Sequence, residues 1–132
     1  MIYGAIMGDV INSTSSKHAY SIPYQLELVF GEVEKFYKIT YQIYRGDAFT
    51  ILVNDHKKVF KVLSFIRSLL YRVYKIKIRS CVGTGPLYYI NDNPGYCTGP
   101  LLINLGRCFD KQYNCSKSKN KVVSLQKKRS SL

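Results

Sequence analysis

The stretch Tyr41-Gln-Ile-Tyr-Arg-Gly-Asp-Ala-Phe-Thr-Ile-Leu-Val53 constrains the fold more than any other part of the chain. Tyr41 and Ile43 alternate before Gly46-Asp47, and Phe49, Ile51 and Val53 alternate after it. A period of two on both sides of a Gly-Asp pair reads as a β-hairpin whose tight turn carries one carboxylate. A second Gly-Asp, Gly8-Asp9, ends the apolar run that begins at Ile2. If these strands lie side by side in one sheet, Asp9 and Asp47 converge at one edge and can share divalent cations. Two such ions roughly 3.5–4 Å apart, held by carboxylates and substrate phosphates, are what phosphoryl or nucleotidyl transfer requires.

The remaining elements follow from local pattern. Val10-Ile-Asn-Ser-Thr-Ser-Ser16 is a polar loop after strand one. Its hydroxyls and backbone donors, those of Asn12 and Ser13 among them, suit a phosphate. They suit a helix N-cap equally well. Pro23 fits the first turn of a helix, and Leu26, Val29, Phe30, Val33, Phe36 and Tyr37 carry it on three-and-four spacing to about Lys38. After the hairpin, Asn54 or Asp55 caps a second helix with Val59, Leu63, Ile66, Leu70 and Val73 on one face. Ile76, Ile78, Ser80 and Val82 alternate as a further strand into Gly83-Thr-Gly-Pro86, resuming through Leu87 to Ile90. Asn91-Asp-Asn-Pro-Gly95 is a turn cluster. A short helix from Leu101 to about Gln112 comes next, and Val122-Val-Ser-Leu125 can add a last strand.

The 132 residues give room for one domain, residues 1–115, and a basic tail, residues 116–132. Net charge is +12, of which the tail, with six Lys or Arg and no acid, supplies half. That balance suits a polyanionic partner, a nucleoside triphosphate or a nucleic acid. No apolar run approaches the roughly 18–20 residues of a membrane span. The N-terminus reads as a first strand and not as a signal peptide, so a cytoplasmic protein is expected. Cys81, Cys97, Cys108 and Cys115 lack the spacing of zinc ligands or of a disulfide framework and read as reduced, mostly buried thiols. His18 and His56 have no second ligand or nucleophile at useful spacing.

The order strand, helix, hairpin, helix, strand, helix, strand describes an α+β sandwich of the ferredoxin-like type, an antiparallel sheet with helices on one face. Four motifs in that order, Gly8-Asp9-Val10, Arg45-Gly46-Asp47-Ala48-Phe49, Ile78-Arg79 through Pro86, and Gly99 through Arg107, resemble the catalytic core of class III nucleotidyl cyclases. The small SatD-like bacterial proteins, which are similar to that core, are the closer match. The resemblance covers roughly residues 2–112.

It implies a palm-like domain in which Asp9 and Asp47, helped by the Val10 carbonyl, bind two Mg2+ (or Mn2+) ions on a nucleoside triphosphate. Val10, Asn12, Ser13, Gly46 and Asn104 are the candidate nucleotide contacts. Arg107, eight residues after Gly99, corresponds to the cyclase arginine that stabilises transition-state charge across a dimer interface, so a homodimer is implied. The sequence also departs from the cyclases. They usually carry a Lys three residues before the hairpin Gly and an Asp three before the later Gly, where this chain has Ile43 and Tyr96. Their ribose-holding Asn aligns with Ile103, one residue before Asn104. SatD-like proteins tend to carry a further C-terminal DNA-binding region, for which this sequence offers only the basic tail.

Three functions of different class fit these residues. One is a magnesium-dependent nucleotidyl cyclase or synthase of a small signalling nucleotide. Another is a non-catalytic nucleotide-binding or regulatory palm domain. The third is a nucleic-acid-binding module using the tail and the second helix, whose affinity would fall steeply with salt.

Overall fold

The structure, a computed structural model, describes residues 2–11, 21–87, 94, 99–116 and 122–124. In chain order its elements are β1 (Ile2–Val10), α1 (Ile22–Glu34), β2 (Ile39–Tyr44), β3 (Ala48–Val53), α2 (Val59–Tyr74), β4 (Ile78–Pro86), α3 (Pro100–Ser116) and β5 (Val122–Ser124). They form an α+β domain around one sheet in the order β2-β3-β1-β4-β5. β1 runs antiparallel to both β3 and β4, β2 runs antiparallel to β3, and β5 is parallel to β4. The four antiparallel strands are those the alternation predicts. The parallel β5 falls within the segment expected as a tail.

Period two divides each central strand between two cores. Ile6 and Val10 of β1, Phe49, Ile51 and Val53 of β3 and Ile78 and Val82 of β4 pack with α1 and α2. On the other face Tyr3 and Ala5, Leu52 and Cys81 pack with Leu101, Leu105 and Cys108 of α3. Helices were expected on one face; that describes α1 and α2, whereas α3 covers the opposite one. With both faces covered, all six residues of β3 are buried.

The helices depart from the sequence reading at their ends. α1 stops at Glu34, because Lys35 and Phe36 N–H donate to the carbonyls of Glu32 and Val33 three residues back, which tightens the last turn. Phe36 is consequently 67 % exposed, with its ring 5.7 Å from that of Phe65. Asp55 caps as predicted, its carboxylate accepting the Lys57 N–H at 3.1 Å, but it caps a 3-10 turn, His56–Lys58, that leads into α2. α2 buries Val59, Val62, Leu63, Ile66 and Leu70 and ends on a left-handed Lys75. Val73, expected on the buried face, is exposed, while Tyr74 beside it in the same turn packs against the core. Cys81 and Cys108 are buried free thiols, as expected; the side chains of Cys97 and Cys115, like the Leu87–Ile90 strand beyond Leu87, lie outside the described residues.

Candidate functional site

Two register facts bring the Gly-Asp motifs together. Asp9 of β1 pairs directly with Ala48 of β3, and the Val10 N–H donates to the carbonyl of Asp47 at 3.0 Å. Asp9 near the end of β1 and Asp47 in the turn just before β3 therefore lie at the same end of the sheet. The glycines have separate reasons. A Cβ on Gly8 would lie 2.5 Å from Phe49 Cζ and 2.8 Å from the Arg79 carbonyl oxygen, so only a bare backbone lets Phe49 pack there. Gly46 has φ +81° and follows Arg45 at φ 55°. Two successive left-handed residues are the turn chemistry that matches the twist of a hairpin.

Odd-numbered residues of β1 face α3, so Asp9 lies on the α3 side of the sheet, in line with Ala5 and Met7. Across from it, in direct register on β4, is Arg79. Its Nη2 donates to one Asp9 carboxylate oxygen at 2.5 Å and its Nε to the other at 3.1 Å, a two-pronged contact. Both side chains are largely buried, and the guanidinium also sits 5.8 Å from the ring centroid of Phe109 on α3. The Asp9 carboxyl nevertheless holds its proton more tightly than an ordinary aspartate. Burial is the main cause and the nearby Asp47 charge adds to it, while the hydrogen bond and charge of Arg79 and the charge of Arg45 act the other way.

Arg79 is the site residue that reasoning from the sequence passed over. The signal was present: it is the one charge among Ile78, Ser80, Cys81 and Val82, and a charge inside an apolar strand needs a counter-charge. Alternation placed Ile78, Ser80 and Val82 on the helix-covered face and so, by default, Arg79 on the other. Nothing in the sequence said what faced it.

The other expected site residues divide. Val10 and Gly46 lie with the two aspartates at the rim. Asn12 and Ser13 lie outside the described residues. Asn104 and Arg107 are exposed on α3, off the buried stripe of Leu101, Leu105 and Cys108, as is Ile103 at 57 % exposure. Ile43, at the position of the cyclase lysine, packs against the α1–α2 core.

No group of three or more His, Cys, Asp or Glu that could hold a metal occurs among the described residues. Two carboxylates at a strand end are a donor set for Mg2+ shared with a substrate's phosphates, since Mg2+ keeps waters and takes one or two carboxylates. They are not a cage that holds the ion alone. Arg79 now occupies both oxygens of Asp9, so an arriving cation has to compete with it.

The fold can be compared with solved structures. The guanylyl cyclase domain of the RhoGC fusion protein from the aquatic fungus Blastocladiella emersonii matches with a TM-score of 0.63 at 17% identity, over 92% of this chain and 78% of that one. The adenylyl cyclase CyaB from P. aeruginosa matches with a TM-score of 0.61 at 11% identity, over 93% and 76%. This chain has the fold of a cyclase domain. A bacterial light-regulated adenylyl cyclase gives a TM-score of 0.58 at 9% identity, over 86% of this chain and 71% of that one. No protein-family model and no curated protein sequence matches. No helix among the described residues is long and apolar enough to cross a membrane.

Proposed function

We propose that this chain is a nucleotidyl cyclase-related domain of the SatD-like kind that binds a nucleoside triphosphate with Mg2+ or Mn2+ at the Asp9–Asp47 rim. It releases pyrophosphate in forming a cyclic or other small signalling nucleotide, acting as a cytoplasmic homodimer. The observation that carries this reading is the β1–β3 register, which sets Asp9 beside Ala48 and ties Val10 to Asp47 within a cyclase-domain fold. Asp9, Asp47 and the Val10 carbonyl would hold the metal, which when bound draws negative charge off the triphosphate and makes pyrophosphate a better leaving group.

The chain's own groups supply the rest. Arg79 is a planar donor already aimed into the rim, and a phosphate is as good an acceptor for its fork as a carboxylate. Substrate phosphates can therefore draw the guanidinium from Asp9, and the carboxylate they free is the one a cation needs. Substrate and metal binding are coupled by this exchange. Arg107, exposed on α3, would act on the partner's substrate, stabilising charge that builds as the bond to pyrophosphate breaks.

A second reading, a nucleotide-binding domain without turnover, is favoured by one observation. Ile43, partly buried, packs against the core where the cyclases read the purine with a lysine. Incubating the purified protein with each triphosphate and Mg2+ or Mn2+ separates the two. The first reading predicts pyrophosphate release that Asp47→Asn abolishes. Triphosphate binding without release under every condition selects the second.

A further inference from the structure

At the end of the sheet remote from the carboxylates, a cavity of about 630 Å³ opens between the C-terminus of α1, the start of β2 and the His56–Lys58 turn. Ile2 and Val53 line it, so the strands that carry Asp9 and lead from Asp47 both reach it at their far ends. Seven residues of extended β1 put it roughly 23 Å from Asp9. Its volume lies in the range of small-molecule sites, about 300–1,000 Å³.

The lining has two chemistries. Phe36 and Tyr37 contribute aromatic surface, and Phe36 is 67 % exposed. Lys38, Lys57 and Lys58 contribute positive charge against a single acid, Asp55. That acid is already engaged, accepting the Lys57 N–H at the cap of the turn. The frame is fixed before any ligand arrives. The Asn54 N–H donates to the Lys38 carbonyl at 3.1 Å, the Lys58 N–H to the Asp55 carbonyl at 2.9 Å, and the turn packs against β1.

We propose that this cavity is a second binding site, separate from the Asp9–Asp47 rim, for a small ligand with a planar apolar body and at least one anionic group. The planar body lies against Phe36 and Tyr37, and the anion is held by the lysines at the mouth. Neutral aromatic molecules and non-aromatic anions each satisfy half of the lining and bind more weakly.

Anilinonaphthalene sulfonate is a probe with both features, and its fluorescence rises on transfer from water to an apolar site. Titration of the full chain should show one saturable site. Lys57→Glu with Lys58→Glu should weaken it by at least about tenfold by turning attraction into repulsion. Phe36→Ala, a change at an exposed side chain that leaves the core intact, should weaken it several-fold. Lys61→Glu, an exposed charge reversal on α2 outside the cavity, should leave it unchanged. Absence of saturable binding overturns the proposal. So does an affinity that is unaffected by the cavity variants, or one that falls equally with Lys61→Glu.

Discussion

At Asp9 a close ion pair and burial act in opposite directions, and burial prevails in setting its proton affinity. Such a pair sits near break-even in stability, because the desolvation of two charges offsets their attraction. The sign of the pH dependence follows. With its folded value raised above the ordinary 3.8, Asp9 contributes stability that is full below pH 3.8 and is lost as pH rises through the folded value. Urea unfolding across that window should show wild type losing stability relative to Asp9→Asn as pH rises, since the amide mimics the protonated acid and removes this component. Arg79→Met deletes both the hydrogen bond and the charge that hold the proton off. The Asp9 carboxyl resonance in carbon NMR should then titrate at higher pH than in wild type; an unchanged titration would mean that the two-pronged contact is absent in solution. Both aspartates could be found by eye as Gly-Asp pairs at strand ends. Arg79 could not be assigned, because an ion pair between residues 70 apart in sequence is a property of β-register, which a single strand does not reveal.

Among the elements, α2 separates buried from exposed apolar positions on one helix. Ile66→Ala empties a fully buried site and should cost about 2–5 kcal/mol in urea unfolding. Val73→Ala, at 59 % exposure, should change stability by less than about 0.5 kcal/mol. In β1, Gly8→Ala forces a methyl against Phe49 and the β4 backbone and should cost about 1–3 kcal/mol. Strands and helices were legible because their periods are local: β2, β3 and α2 announce themselves by alternation and by three-and-four spacing. The face that α3 covers was not legible. Helical spacing tells which side of a helix is buried, as Leu101, Leu105 and Cys108 are, but not which side of a sheet receives it. The end of α1 was misjudged for a related reason: Phe36 and Tyr37 continue the apolar rhythm after the backbone has left the helix.

For the whole molecule, the proposed homodimer has Arg107 of one copy acting in the site of the other, and Arg107 is exposed on α3. Asp47→Asn and Arg107→Ala should each abolish pyrophosphate release alone. Mixing the two variants should restore part of it, because a mixed dimer contains one site with all its groups; no recovery in a mixture shown to exchange subunits would place Arg107 outside the chemistry. The cyclase-domain fold itself rests on the match of sheet and helices to solved domains at 9–17% identity, which fixes architecture and leaves the chemistry to the rim. The most direct measurement of that chemistry is calorimetric titration with a non-hydrolysable nucleoside triphosphate, with and without Mn2+. Saturable binding is expected that requires nucleotide and cation together and is lost in Asp9→Asn and in Asp47→Asn while both variants stay folded. Binding that is indifferent to the cation, or that survives both substitutions, would contradict it.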